Sequence, residues 1–180
     1  AENYDGTSTK PTATGTNAVA IGSQSEAAGS ESFAGGFNAT ATAYRALALG
    51  HGANAGNTSV ALGTSANASG SEGNALGRDA TASGSESNAL GHSSIAAGIR
   101  STAVGKSYAS GTDSFAAAIA NNTSSYGATG ANSVAIGSLS KSSGADSVAI
   151  GDSNLASNGS AVAIGALNTA SGSSSVVLGK

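Results

Sequence analysis

Hydrophobic residues recur along most of the chain in a short alternating pattern. In segments such as Asn132–Gly137, two large aliphatic residues lie on either side of an alanine, and a glycine follows. A period of two places the large side chains on one face and alanine on the other, which predicts a β-strand. A second, shorter alternation follows the glycine, as in Ala53–Ala55. Each unit therefore predicts two short strands.

The same unit returns at a nearly constant interval. Its final glycine recurs every 14 residues, apart from two intervals of 13 and one of 19. The twelve marker positions are Gly22, Gly36, Gly50, Gly63, Gly77, Gly91, Gly105, Ala118, Gly137, Gly151, Gly165 and Gly179. Two strands and two turns in 14 residues predict one coil of an all-β, parallel β-solenoid. Stacked about 4.8 Å apart, twelve coils would form a rod roughly 55–60 Å long.

Two segments depart from this repeat. Residues 1–14, which include Pro11, lie outside it and are predicted to be a loose leader, so the solenoid is predicted to span residues 15–180. The 19-residue interval predicts a loop insertion near residues 119–130. Insertions in solenoids emerge on one face, often the binding face, and this one carries Tyr126 as a candidate contact residue. A neutral excursion between protomers is the alternative.

The composition narrows the class of protein. Ala, Ser and Gly make up more than half of the chain, so a conventional core of large side chains is excluded. Disordered coil is the alternative, but disorder offers no reason to keep Val and Ile in fixed columns. Only 9% of residues are charged and the net charge is −3, without the basic stripe that nucleic-acid binding needs. The absence of Cys excludes a disulfide framework and a thiolate metal site.

The large aliphatic residues form two columns, one and three positions before the marker glycine. If Ala and Ser line the coil interior, these columns form an outward stripe too large to stay exposed on a monomer. A homo-oligomer that buries the stripe resolves this, whereas the alternative places Val and Ile inside the coil. The residues predicted to pack in that seam are Val19, Ile21, Val134, Ile136, Val148, Ile150, Val162 and Ile164. In the middle repeats Asn74, Asn88 and Thr102 replace Val, and their polar groups need partners.

The repeat resembles that of a known family. Asn132–Gly137 with Ser140, and the near copy Asn17–Gly22 with Ser25, are similar to the Asn-Ser-Val-Ala-Ile-Gly-x-x-Ser repeat of the YadA-like head of trimeric autotransporter adhesins. The resemblance covers residues 15–180. It implies a left-handed parallel β-roll, three chains around one axis, and Val and Ile columns in the trimer core. It also implies a cell-surface fibre, held in the outer membrane by a separate anchor domain, that adheres to host matrix such as collagen, to cells or to abiotic surfaces.

The resemblance also supplies candidate contact residues. Carried over from collagen-binding relatives, the repeat implies ligand contacts at Asn132, Ser133 and Ser140, to which the insertion adds Tyr126. Binding would be multivalent, spread over many weak contacts. Two alternatives are a segment of a trimeric phage fibre, carried on a virion, and an ice- or mineral-binding solenoid.

Enzymatic and metal sites are not predicted. The serines lie in repeated structural positions without a consistent histidine partner. His51 and His92 are three coils apart, about 14 Å along the rod, which is too far to share a metal ion. No cofactor is expected. The column five positions before the glycine is charged, and it predicts exposed ion pairs between successive coils at Glu31–Arg45 and Glu86–Arg100.

Overall fold

The computed structural model describes residues 10–117 and 124–180, which form a parallel β-solenoid of two 12-stranded sheets. Consecutive strands alternate between the sheets, so every coil contributes one strand to each. The predicted fold class and the number of coils are confirmed. In the described part of the chain, no helix is long and apolar enough to cross a bilayer.

Sheet A contains the short strands that follow the marker glycines, together with β1, which precedes the first of them. They are β1 (Thr12–Ala13), β3 (Glu26–Ala27), β5 (Thr40–Ala41), β7 (Asn54–Ala55), β9 (Asn67–Ala68), β11 (Thr81–Ala82), β13 (Ile95–Ala96), β15 (Tyr108–Ala109), β17 (Gly127–Ala128), β19 (Lys141–Ser142), β21 (Leu155–Ala156) and β23 (Thr169–Ala170).

Sheet B contains the strands that carry the large aliphatic columns. They are β2 (Val19–Ile21), β4 (Phe33–Gly35), β6 (Leu47–Leu49), β8 (Val60–Leu62), β10 (Asn74–Leu76), β12 (Asn88–Leu90), β14 (Thr102–Val104), β16 (Phe115–Ala117), β18 (Val134–Ile136), β20 (Val148–Asp152), β22 (Val162–Ala166) and β24 (Val176–Gly179).

Equivalent residues of successive coils stack directly on one another. In sheet B, Val134 pairs with Val148, which in turn pairs with Val162. The coils are joined by backbone hydrogen bonds, for example from the Val19 amide to the Ser32 carbonyl oxygen at 3.0 Å. Because the ladder runs along the whole solenoid, each column of the sequence becomes a continuous row on one face.

Two tight turns close a regular coil. In the first coil the Ala18 amide donates to the Gly15 carbonyl oxygen at 3.1 Å, and the Ser25 amide donates to that of Gly22 at 3.2 Å. The third residue of each turn is left-handed, with φ of 58° at Asn17 and 61° at Gln24. The strain of this conformation is offset where the strained residue also bonds to the preceding coil, as the Glu31 amide does to the Thr16 carbonyl oxygen at 2.8 Å.

The two coils of 13 residues are one residue shorter in a turn, not in a strand. Asn54 pairs with Asn67 and Ile95 pairs with Tyr108, so both strands keep their alignment across the shorter interval. The first deletion falls between β7 and β8, and the second falls between β14 and β15. Strand pairing therefore tolerates the change in coil length.

The interior is lined by small side chains. Every buried hydrophobic residue among those described is an alanine, and the buried polar residues are serines together with Asn154. The alanine between the two large columns is fully buried in most coils, as at Ala48 and Ala135. The two sheets thus lie too close together to admit larger side chains. This confirms the sequence interpretation in which alanine faces inwards and the large aliphatic residues face outwards.

The two segments that depart from the repeat are partly described. Within the predicted leader of residues 1–14, Thr12–Ala13 already forms β1 and pairs with β3, while residues 1–9 lie outside the described residues. In the predicted insertion, nine residues separate β16 from β17, whereas four separate β18 from β19. The longer connection therefore lies at 118–126, of which 118–123 lie outside the described residues.

Candidate functional site

The outer face of sheet B carries a row of aliphatic side chains, here called the apolar stripe. It comprises the outward residues one and three positions before each marker glycine. All eight residues predicted to pack in a seam lie on it, and none lies in the alanine core. In the single chain, Ile21 is 58% exposed, Val19 44% and Ile164 37%. The stripe is therefore an aliphatic surface without a cover in this chain.

Three polar residues interrupt the apolar stripe in its middle. This polar notch consists of Asn74, Asn88 and Thr102, which stack on successive strands β10, β12 and β14. Asn74 Nδ2 donates a hydrogen bond to Asn88 Oδ1 at 2.9 Å, so the first two amides are joined along the chain. All three side chains are half-buried on the outer face.

The outer face of sheet A is chemically mixed. Asn54 Nδ2 donates to Asn67 Oδ1 at 3.0 Å, which forms a second asparagine ladder. The same column also holds Glu26, Tyr108 and Lys141. A regular array of identical hydroxyls, which an ice- or mineral-binding face needs, is not present on this part of the described chain.

Two of the four predicted contact residues reach the surface. Asn132 is exposed in a turn, has a left-handed φ of 53°, and donates from Nδ2 to Asp146 Oδ1 at 2.9 Å. Tyr126 is half-buried in the long connection, immediately before β17. Both side chains are accessible to a partner.

The other two predicted contact residues require a correction. Ser133 and Ser140 are 0% exposed, and their hydroxyls donate to the carbonyl oxygens of Gly130 at 2.7 Å and of Gly151 at 2.9 Å. Both side chains lie inside the coil, where Ser133 closes its own turn and Ser140 bonds to the next coil. A ligand cannot contact them at the surface, so the candidate contact set reduces to Asn132 and Tyr126.

One edge of the solenoid carries charged residues that pair between coils. Arg45 Nε donates to Glu31 Oε2 at 2.7 Å, which confirms the first predicted ion pair. The second predicted ion pair is wrong in the partner of Arg100. Arg100 does not bind Glu86 in the preceding coil but Asp113 in the following coil, through two hydrogen bonds of 2.6 and 2.7 Å. The hydrogen bond from Arg100 lowers the pKa of the Asp113 carboxyl. Asp113 therefore stays ionised, and the pair stays intact, in more acidic solution than it would without Arg100.

The histidines lie on the opposite edge, in the turns after sheet B. The His51 ring stacks on Phe37 with ring centroids 5.2 Å apart. His92 Nε2 contacts the Arg78 guanidinium and lies 3.8 Å from the Asp79 carboxylate. Among the described residues, no group of three His, Cys, Asp or Glu side chains is arranged to hold a metal ion.

Asn154 is a structural residue that sequence reasoning missed. It is 1% exposed, and its Nδ2 donates to the carbonyl oxygens of Ile150 at 2.8 Å and Gly165 at 2.6 Å. Its Oδ1 accepts from the Asn168 amide at 3.0 Å, so the side chain joins two coils. Its position in the repeat indicates this burial, because the equivalent residue in the preceding coil is the buried Ser140.

Comparison with known families gives one match that covers more than half of the chain. The family described as YadA head domain repeat matches residues 13–39, 55–73, 82–107, 128–154 and 156–180. No curated protein matches the chain. The parallel solenoid with two strands per coil is consistent with the left-handed β-roll of that family.

Proposed function

The chain belongs to the YadA head family, and from that membership we propose that three copies form the adhesive head of a bacterial surface fibre. The family is a surface-exposed adhesin region, not an enzyme family, and its heads form trimers that bind host surfaces. The coarse function is thus adhesin-like and implies extracellular display. The trimer, its ligands and its anchoring in an outer membrane are proposals for this chain.

The single observation that carries the trimer is the apolar stripe. The core of each coil is complete without these residues, because alanine and serine fill the space between the sheets. The aliphatic side chains on the outer face of sheet B therefore contribute to burial only if another surface covers them. A contiguous apolar surface of this kind marks an interaction site. Two further copies, each presenting its own stripe, would cover it around a common axis.

Adhesion would be distributed along the trimer. In the proposed arrangement sheet B faces the axis, which leaves the mixed outer face of sheet A and the turns for a partner. Asn132 and Tyr126 are the accessible members of the predicted contact set. Three chains with twelve coils each would raise the avidity of weak contacts without one deep site.

A coil-deletion variant and a point variant test this proposal. Deletion of residues 138–179 removes three coils between marker glycines and leaves the remaining strand alignment intact. Binding to immobilised collagen and to bare polystyrene is measured for the full chain, the deletion variant and Tyr126→Ala. The proposal expects the deletion to lower avidity without abolishing binding, and Tyr126→Ala to have a small effect. Complete loss of binding in Tyr126→Ala would show a discrete site at the insertion instead.

A further inference from the structure

A repetitive rod has a problem of alignment with its neighbours. In the C-terminal half of the apolar stripe Val134, Val148 and Val162 stack in one row, so adjacent coils present nearly the same surface. A parallel copy displaced by one coil, about 4.8 Å, would still bury almost the whole stripe. Aliphatic burial alone therefore distinguishes poorly between aligned and displaced copies, because it is non-directional.

The polar notch breaks this equivalence. Asn74, Asn88 and Thr102 are the polar members of a column that otherwise holds aliphatic and aromatic residues. Asn74 Nδ2 bonds to Asn88 Oδ1, and Asn88 Nδ2 makes a long hydrogen bond of 3.5 Å to the Glu86 carbonyl oxygen. An amide offers two donor hydrogens and an acceptor oxygen with two lone pairs, so these bonds leave capacity for further partners. These groups are half-buried on the very face that would meet another copy.

The stripe carries a second irregularity in its shape. Phe33 shares its strand with Gly35, where a Cβ atom would come within 2.8 Å of the Phe33 ring. Phe115 likewise shares β16 with Ala117 at the position where other coils hold Ile, Leu or Val. A large residue is thus paired with a small one at two coils, and these coils also differ in outline from their neighbours.

We propose that the polar notch fixes the axial alignment of the chains in the trimer. This inference rests on the proposed function, because it requires parallel copies joined through the apolar stripe. In the aligned trimer the notches of all chains meet, and each amide finds polar partners or shared water. After a displacement by one coil, notch residues at its ends face Val60 or Phe115 of a neighbour. Buried amides without partners are costly, so the aligned state is selected. One buried asparagine fixes the alignment of coiled coils on the same principle.

Axial alignment can be measured with spin labels on two different chains. The chain has no cysteine, so Thr64→Cys and Ser173→Cys each introduce a unique labelling site, and both positions are exposed. The sites are about seven and a half coils apart, hence roughly 36 Å along the rod. In trimers assembled from both labelled chains, pulsed dipolar spectroscopy measures the distance between the two labels, which changes when one chain is displaced along the rod. The wild-type background is expected to give one fixed set of long distances between unlike sites, besides the short distances between like sites.

Removal of the notch is the decisive variant. Asn74→Val/Asn88→Val/Thr102→Val removes the polar residues from the column. The variant should add label-to-label distances that correspond to axial displacements of about 4.8 Å, while the mass remains that of a trimer. The matched control is Asn54→Val/Asn67→Val/Thr81→Val, which changes the same residue types on three successive coils of sheet A. The control should retain the label-to-label distances of the wild type.

A second variant keeps the test valid if the aliphatic notch variant fails to assemble. Val60→Asn/Thr102→Val moves the notch by one coil toward the N-terminus. In mixed trimers of this variant with wild-type chains, the interchain distance should change by one coil. Distances unchanged from the wild type in both notch variants, with trimers still formed, would overturn the inference and leave the trimer standing. Monomeric wild-type chains would instead overturn the proposed trimer, and the alignment inference with it.

Discussion

The marker glycines are required by the close approach of successive coils. Gly63 has a φ of 134°, and a Cβ atom on it would lie 2.6 Å from the carbonyl oxygen of Gly77 in the next coil. Both the backbone conformation and the packing therefore exclude a side chain. The glycine column is a consequence of stacking, and its recurrence along the chain reflects the uniform distance between coils.

Gly63→Ala should destabilise the protein by at least about 2 kcal/mol, because it combines a strained φ with a clash against backbone. Gly159→Ala is the matched control. A Cβ atom on Gly159 would have its nearest neighbour 3.9 Å away, and Ala145 occupies the equivalent position one coil earlier. The control should change stability by less than about 0.5 kcal/mol. Urea denaturation at one fixed protein concentration measures both, and equal midpoints would contradict the packing described.

The buried serines are not equivalent to one another. Ser133 donates its hydroxyl to the Gly130 carbonyl oxygen, whereas Ser114 Oγ is buried without a hydrogen-bond partner among the described residues. Ala46 and Ala161 occupy the same column and are buried, so the site accepts alanine.

Ser114→Ala should therefore stabilise the protein by about 1 kcal/mol, since it removes an unsatisfied hydroxyl. Ser133→Ala should cost about 0.5–1.5 kcal/mol, because it removes a made hydrogen bond. The two variants are compared by the denaturant midpoint at equal concentration. A loss of stability in Ser114→Ala as large as that in Ser133→Ala would mean that the Ser114 hydroxyl has a partner after all.

At the scale of the strands, alternation predicted most of what the structure shows. It placed the alanines between the large columns inside and the large residues outside. It also places Ser133 on the same face as Ala135, two residues further along, and both are buried. The error of assigning Ser133 to a contact surface came from the family resemblance, which says nothing about the direction of a single side chain.

Other features do not follow from the column pattern. Arg100 has an acid one coil away in both directions, Glu86 and Asp113, at equivalent positions of the ladder. The choice of Asp113 depends on side-chain conformation, which a repeat does not specify. The role of Asn154 likewise needed the structure, because an amide that bonds to two coils is visible only when both are in place.

The two sheets should respond differently to a charge on their outer faces. Ile150→Asp puts a carboxylate on the apolar stripe, next to the buried Ala149 but outside the core, so each coil should keep its fold. In a trimer the same change buries three unpaired charges at the seam, and assembly should fail. Lys141→Asp, on the outer face of sheet A, should change stability by less than about 0.5 kcal/mol. Thermal unfolding compares the variants, and equal melting temperatures would refute the assignment of the two faces.

At the scale of the whole molecule, one chain explains the fold but not the apolar stripe. The coils are joined by backbone hydrogen bonds along both sheets, and their interior is filled by alanine and serine. Among the described residues, the core does not include the aliphatic side chains on the outer face of sheet B. Assembly gives them a role, and it also leaves sheet A and the turns of three chains facing outwards for adhesion.

The mass of the assembled chain in solution tests this account most directly. Sedimentation velocity combined with light scattering measures it at micromolar concentration for the wild-type chain and for Ile150→Asp. A chain of 16.7 kDa that buries its apolar stripe against two copies should sediment with three times its own mass, and Ile150→Asp should sediment as the single chain. A stable, folded wild-type monomer at this concentration would contradict the account.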